Sequence, residues 1–230
     1  MRPEAELAVF TRLGGTFVTP IGTLVERMRT IRGFVSDWDG VFNQGTKGEG
    51  AESTYSEPDS MGTNLLRYGL WRAHGQLPIA ALITGAENPS ARTFALREHF
   101  HAVYSGARNK TAAIESLCRT HRVSSDRLVC IFDDVNDLGM AFACGIRVLV
   151  QRSASPLLRE YVVRQGLCDY VTAHTPERYA VREVCELLLG LLGSFETVVT
   201  SRVAWDPSYA DYFKARQALA TEFVDQRVND

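Results

Sequence analysis

Three short apolar runs in this chain break off abruptly into residues that carry chemistry. Phe34-Val35-Ser36 leads into Asp37-Trp38-Asp39-Gly40-Val41, Ile79-Ala80-Ala81-Leu82-Ile83 into Thr84-Gly85, and Leu128-Val129-Cys130-Ile131-Phe132 into Asp133, Asp134, Asn136 and Asp137. Apolar runs this short, bounded by glycine or charge, read as buried strands. Between and after them lie helical stretches: Asn88 to Phe100, Lys110 to Arg122, Asn136 to Ala143, Pro156 to Gln165 and Arg178 to Leu192. The alternation predicts an α/β fold, a doubly wound parallel sheet. In such a sheet ligands sit at the carboxyl ends of the strands, where all three polar clusters fall.

The residue types say what ligand to expect there. In extended chain, side chains two apart face the same side, so Asp37 and Asp39 can converge on one ion or phosphoryl group. Two buried like charges call for a counter-cation, and a divalent metal supplies it. The motifs offer hard oxygen ligands and neither histidine nor thiolate, which suits magnesium. Gly40 lets backbone N–H groups approach an anion closely. Thr84 and Gly85 can grip a phosphate oxygen through a hydroxyl and an amide. Lys110 follows the short strand Ala102 to Gly106 and opens a helix, placed to neutralise a phosphate or a carboxylate; Lys47 and Arg108 compete for that role. Taken singly, each cluster is also compatible with a turn or a helix cap.

The order strand-DxDGV, strand-TG, Lys, strand-DDxxD resembles the haloacid dehalogenase superfamily, from about Ile31 to Leu189. The second half is similar to the 3-deoxy-manno-octulosonate 8-phosphate phosphatase branch, through Tyr170-Val171-Thr172 and Ala180-Val181-Arg182-Glu183-Val184-Cys185-Glu186-Leu187-Leu188-Leu189. The resemblance implies a magnesium-dependent phosphatase with a Rossmann-like core and an aspartyl-phosphate intermediate. Asp37 would be nucleophile and metal ligand. Asp39 would protonate the leaving oxygen and then activate water, its backbone carbonyl on the metal. Thr84 and Lys110 would hold phosphoryl oxygens, and Asp133 would complete the metal site with Asp134, Asn136 and Asp137 in support. No large cap domain fits between the motifs. A hairpin flap over Phe42 to Ser56 takes its place, and a neighbouring subunit is expected to close the site, which implies a homo-oligomer such as a tetramer.

The chain also departs from that family. Phe132 stands where relatives carry glycine before the metal aspartate. Ala86-Glu87-Asn88-Pro89 replaces the segment with an arginine after Thr-Gly. Pro58-Asp59-Ser60-Met61-Gly62 keeps only the aspartate and last glycine of a substrate motif, and Pro176-Glu177-Arg178-Tyr179 replaces a glycine-rich stretch. The expected substrate is therefore a small phosphorylated metabolite, a sugar or sugar-acid phosphate, with its recognition altered. The alternative is a catalytically weak relative used for oligomerisation or metabolite binding. A phospho-acceptor receiver domain is excluded by order, because here an acidic cluster comes last.

At 230 residues with 45% hydrophobic composition, the chain can bury one substantial core. It divides into an N-terminal extension (1–30), a catalytic domain (31–193) and a C-terminal helical extension (194–230). Asp206-Pro207 opens the last helix, with Tyr209, Tyr212, Phe213, Leu219 and Phe223 near helical spacing. A net charge of −2 offers no basic field for nucleic acid. No apolar run reaches membrane-spanning length, and the five cysteines lie in apolar stretches without CxxC spacing, as reduced core thiols do. These features together predict a cytoplasmic enzyme. His99 and His101 read as a helix end or turn rather than as metal ligands.

Overall fold

The apolar runs become the centre of an eight-stranded sheet. The computed structural model describes residues 3–48 and 53–228. Its strands are β1 (Thr16–Phe17), β2 (Gly33–Ser36), β3 (Ile79–Ile83), β4 (Ala102–Ser105), β5 (Leu128–Phe132), β6 (Ile146–Leu149), β7 (Tyr170–Val171) and β8 (Glu222–Asp225). The helices are α1 (Pro3–Leu13), α2 (Ile21–Met28), α3 (Glu57–His74), α4 (Pro89–Glu98), α5 (Lys110–His121), α6 (Leu138–Ala143), α7 (Pro156–Arg164), α8 (Ala180–Leu191), α9 (Phe195–Ala204) and α10 (Pro207–Gln217).

Spatial order is β1-β7-β6-β5-β2-β3-β4-β8. All neighbours are parallel except β1 and β7. From β2 the chain winds outward through β3 and β4, then returns to the other side of β2 for β5, β6 and β7. The direction therefore reverses between β2 and β5, which opens a crevice at their carboxyl ends. Register keeps those ends level: Ser36 lies opposite Leu82 on one side and Ile131 on the other.

Alternation along the strands builds a core on each face. Phe34 joins Trp38, Tyr68, Phe94 and Phe100 on one side. Val35 joins Ile83, Ile114, Leu117 and Phe132 on the other. Each such fully buried side chain contributes about 1.5–3 kcal/mol. Phe132 is completely buried in the second cluster, so its ring packs between sheet and helices and does not line the site.

The first face is dominated by α3 and α8. Ser56 caps α3, its Oγ accepting the Asp59 N–H at 3.1 Å, and Gly75 ends the helix at φ 69°. Gly69 permits the close contact, since a Cβ there would lie 2.4 Å from Leu189 Cδ2. The retained aspartate of the altered 58–62 motif serves the fold, because Asp59 Oδ1 accepts the Arg182 N–H at 2.8 Å and ties α3 to the first turn of α8.

After residue 193 the chain folds back on this layer. Asp206 caps α10, accepting the Tyr209 N–H at 2.9 Å. Asn64 donates to the Tyr209 hydroxyl at 3.0 Å and accepts from Tyr212 at 2.9 Å. Two features depart from the sequence expectation. Residues 195–204 form α9, and Phe223, which shares the helical spacing of α10, lies instead in β8. There the backbone pairs with the open edge of β4, Phe223 opposite Val103, and tertiary pairing overrides helical periodicity.

The expected flap includes residues 49–52, which lie outside the described residues. Its described part carries one bridge, between Asp39 and Asn43. Cys130, Cys144, Cys168 and Cys185 are buried and Cys118 half-buried, all as free thiols. Among the described residues no single helix is long and apolar enough to cross a membrane.

Candidate active site

Parallel strands with level ends deliver their next residues to one place. Asp37 follows β2, and its N–H donates to Ile131 O at 3.0 Å, which prolongs the ladder by one residue. Asp133 follows β5, and Lys110 is the first residue of α5 after β4. Lys110 Nζ donates to Asp37 Oδ1 and to Asp137 Oδ1, both at 2.5 Å, with all three side chains buried. Asp137 Oδ2 accepts the N–H groups of Asp133 and Asp134 at 3.3 Å, fixing the turn after β5. Asp134 faces out and caps that turn, its Oδ1 accepting the Val135 N–H at 2.7 Å. Asn136 lines the cavity rim.

Asp39 points another way. Its carboxylate accepts Ser53 Oγ at 2.9 Å and Asn88 Nδ2 at 2.9 Å, and it is paired with Lys47. Asn88 also donates to Thr84 Oγ1 at 2.8 Å. That leaves the Thr84 hydroxyl proton available to a ligand. Thr84 itself is fixed by its N–H to Tyr104 O at 2.9 Å and its carbonyl from Ala107 N–H at 3.0 Å.

Gly40 has φ +95°, and a Cβ there would lie 2.1 Å from Asp133 Oδ2 and 2.3 Å from Arg152 Nη2. Its N–H donates to Asn43 O at 2.8 Å. Gly40 therefore supplies space and a turn, and its own amide is engaged within the loop. Gly85 stands exposed beside Thr84 on the cavity wall.

Sequence reasoning missed Asn88 and Arg152. In the sequence Asn88 only opens the helical stretch to Phe100, and its amide contacts depend on the distant Asp39. Arg152 lies just beyond β6, another parallel strand ending on the same side. Its Nε is 2.7 Å from Asp133 Oδ2, but out of line for a hydrogen bond, so the contact is an ion pair. A parallel-strand reading of Ile146–Leu149 would have pointed to it.

Electrostatics fit a cation. Oxygens of Asp37, Asp133 and Asp137 lie within 4.8 Å of one another. Burial, then the charge of Asp137, pushes Asp37 up to about 7, despite Lys110. Burial, then Asp37 and Asp137, pushes Asp133 up to about 8 against the pull of Arg152. Asp133 Oδ1 is buried without a hydrogen-bond partner. An all-oxygen, anion-rich cluster with an orphaned acceptor suits a hard divalent ion. Burial also raises Asp39, but the hydrogen bonds from Lys47, Asn88 and Ser53 outweigh it and hold that carboxyl below its usual range.

These groups line a cavity of about 500 Å³ at the carboxyl ends of the strands. A cavity of about 470 Å³ at the opposite end, beside Arg32, Arg122 and Arg127, has Asp126 as its single carboxylate. Chemistry, not size, marks the first as the candidate site.

A scan against protein-family models finds no match, and neither does a sequence comparison with curated proteins. Solved structures do match. A Legionella pneumophila protein described as a HAD superfamily (subfamily III A) hydrolase is 27% identical, with TM-score 0.66 over 80% of this chain and 95% of its own. The 3-deoxy-D-manno-octulosonate 8-phosphate phosphatase of Yersinia pestis is 27% identical, with TM-score 0.61 over 75% and 88%. The chain is a haloacid dehalogenase superfamily phosphatase. The fold agrees further with the Moraxella catarrhalis 3-deoxy-D-manno-octulosonate 8-phosphate phosphatase, solved with magnesium, phosphate and a KDO molecule. That structure is 23% identical, with TM-score 0.65 over 78% of this chain and 98% of its own. The motif order that suggested the superfamily and the fold that carries it therefore agree in this phosphatase.

Proposed function

We propose that this phosphatase is magnesium-dependent and hydrolyses a small phosphorylated metabolite, a sugar or sugar-acid phosphate, through an aspartyl-phosphate on Asp37. The observation that carries the reading is Lys110 Nζ at 2.5 Å from both Asp37 and Asp137, beside an Asp133 oxygen without a partner. That arrangement presents a nucleophilic carboxylate, a phosphoryl-binding cation and ligand atoms in one buried place.

Asp37 and Asp133, with the Asp39 backbone carbonyl, would hold magnesium, whose charge would balance the phosphoryl oxygens. Asp37 attacks phosphorus while the bond to the leaving oxygen breaks, and Asp39 gives that oxygen its proton. Asp39, now a carboxylate, takes a proton from water. The resulting hydroxide attacks phosphorus, the bond to Asp37 breaks, and phosphate leaves. Lys110 and the Thr84 hydroxyl hold the equatorial oxygens throughout. Lys47, Ser53 and Asn88 favour the ionised form of Asp39, which serves the second step. The first step requires the protonated acid, so Lys47 must yield as substrate enters. Asp134 and Asn136 shape the loop that Asp137 anchors.

The same reading makes the enzyme a cytoplasmic homo-oligomer, with a neighbouring subunit closing the open face of the cavity. The test is magnesium-dependent phosphate release from a panel of sugar, sugar-acid and nucleotide monophosphates, with the Asp37→Asn protein alongside. Release by the wild type and none by the variant upholds the mechanism. Equal release by both overturns it.

A further inference from the structure

The amino ends of the strands carry a cavity of about 470 Å³, within the range of small-molecule sites. Parallel register builds it. Gly33 of β2 lies opposite Leu128 of β5 and Ile79 of β3, so the residues that precede these strands emerge side by side. The Arg32 N–H donates to Arg127 O at 2.7 Å, and the Ile79 N–H donates to Arg32 O at 2.9 Å. Arg32 and Arg127 are therefore neighbours, and both line the cavity. Arg122, which follows α5, lines it too, with His74 and His121 from the ends of α3 and α5.

This charge has no counter-ion. Among the described residues none of the three arginines forms a salt bridge. Asp126, the single carboxylate of the lining, accepts the Ser124 hydroxyl. Arg32 Nη1 lies 3.0 Å from His74 Nε2, and burial, then the charge of Arg32, pushes His74 below its usual range. The buried Nε2 of His121 has no hydrogen-bond partner. Complementing helix dipoles does not use up the arginines. Each of the two helix ends supplies about half a negative charge, and Asp126 supplies one more, which leaves the arginines in excess by about one charge before either histidine is protonated. Like charges on adjacent strands also destabilise a sheet, so the arrangement is not explained by stability.

An oxyanion supplies what is missing. Guanidinium groups match phosphate and carboxylate oxygens. A phosphate monoester carries about two negative charges and three acceptor oxygens, enough to be shared among three separately rooted arginines, whereas a carboxylate offers one charge and two oxygens. Leu77, Pro78 and Val123 add apolar wall against which a carbon skeleton can rest.

We infer that this cavity is a second, non-catalytic binding site that takes the phosphate group of a small organic phosphate. The site lies at the opposite end of the sheet from Asp37 and does not depend on the proposed catalytic mechanism.

Calorimetry on the metal-free protein, which excludes turnover, tests it with glucose 6-phosphate, glucose and citrate. Arg122 and Arg127 are exposed, so Arg122→Gln/Arg127→Gln is the variant to compare. Glucose 6-phosphate should bind, glucose should not, citrate should bind more weakly, and the double variant should lose at least tenfold in affinity for the phosphate. Its stability in urea should equal or exceed that of the wild type, since it removes like charges. Absence of binding, or equal binding by variant and wild type, overturns the inference. Citrate binding as tightly as glucose 6-phosphate overturns the assignment to phosphate. A less stable variant shows that the arginines serve the helix ends, and overturns it as well.

Discussion

The Asn88 amide nitrogen lies 2.9 Å from Asp39 Oδ2 and 2.8 Å from Thr84 Oγ1, so one side chain sets the position of both. It reaches from the segment before α4 to the loop after β2. This contact fixes the proposed acid–base group relative to the proposed phosphate-binding hydroxyl.

Replacing Asn88 by alanine removes a hydrogen bond to a charged carboxylate, worth about 1.5–3 kcal/mol. The expected loss in kcat is about 10- to 100-fold. Because the lost bond favours ionised Asp39, its pKa rises, and the limb of the pH–rate profile set by Asp39 as base moves to higher pH. An unchanged profile with unchanged kcat would remove Asn88 from the mechanism.

Lys110→Met leaves Asp37 and Asp137 facing each other in a buried site. Breaking a buried pair in this way costs about 3–5 kcal/mol. Urea denaturation with a chelator present should show that loss, and magnesium should recover part of it by neutralising the carboxylates. Equal stability of variant and wild type in chelator would mean that the lysine is not holding the acids together.

Gly40→Ala places a methyl group 2.1 Å from Asp133 Oδ2 at a φ of +95°. Backbone strain of this kind costs about 1–3 kcal/mol. Displacement of Asp133 should also weaken magnesium binding, measured calorimetrically, by at least tenfold. Normal magnesium affinity would show that Asp133 can move without consequence.

His101 supplies a pH dependence away from the site. Burial, then the charges of Arg67 and His121, pushes it down to about 3, and its Nδ1 accepts the Ala80 N–H at 3.3 Å. The unfolded chain takes up this proton from about pH 6.5 downward, while the folded chain does not until about 3. Its contribution is therefore complete above 6.5 and is lost as pH falls toward 3, about 2 kcal/mol of it by pH 5. His101→Asn keeps an acceptor and should flatten the acid limb of stability between pH 6.5 and 4. A variant with the same slope as wild type would rule this origin out.

Much of the candidate site's layout was legible because β2 and β5 are short and wholly buried and β3 is buried beyond its first residue. Their apolar runs stand out, and parallel register forces Asp37, Thr84 and Asp133 to emerge together. Lys110 was legible for the same reason, as the first residue of a helix after β4. Phe132 could be misread as crowding the site, because strand alternation decides which face a ring takes, and that assignment needs the neighbours of β5. The helical spacing through Phe223 misled because an open edge at β4 offered backbone hydrogen bonds that periodicity does not record.

The sequence by itself determined the α/β class and the motif residues, since burial pattern and residue chemistry are local properties. Only the tertiary structure decided that Asn88 bridges Asp39 and Thr84, that Arg152 pairs with Asp133, and that Arg32, Arg122 and Arg127 line one cavity. Those relationships join residues as far apart as 39 and 88, or 133 and 152, and are fixed by strand order and loop packing rather than by any local run of the chain.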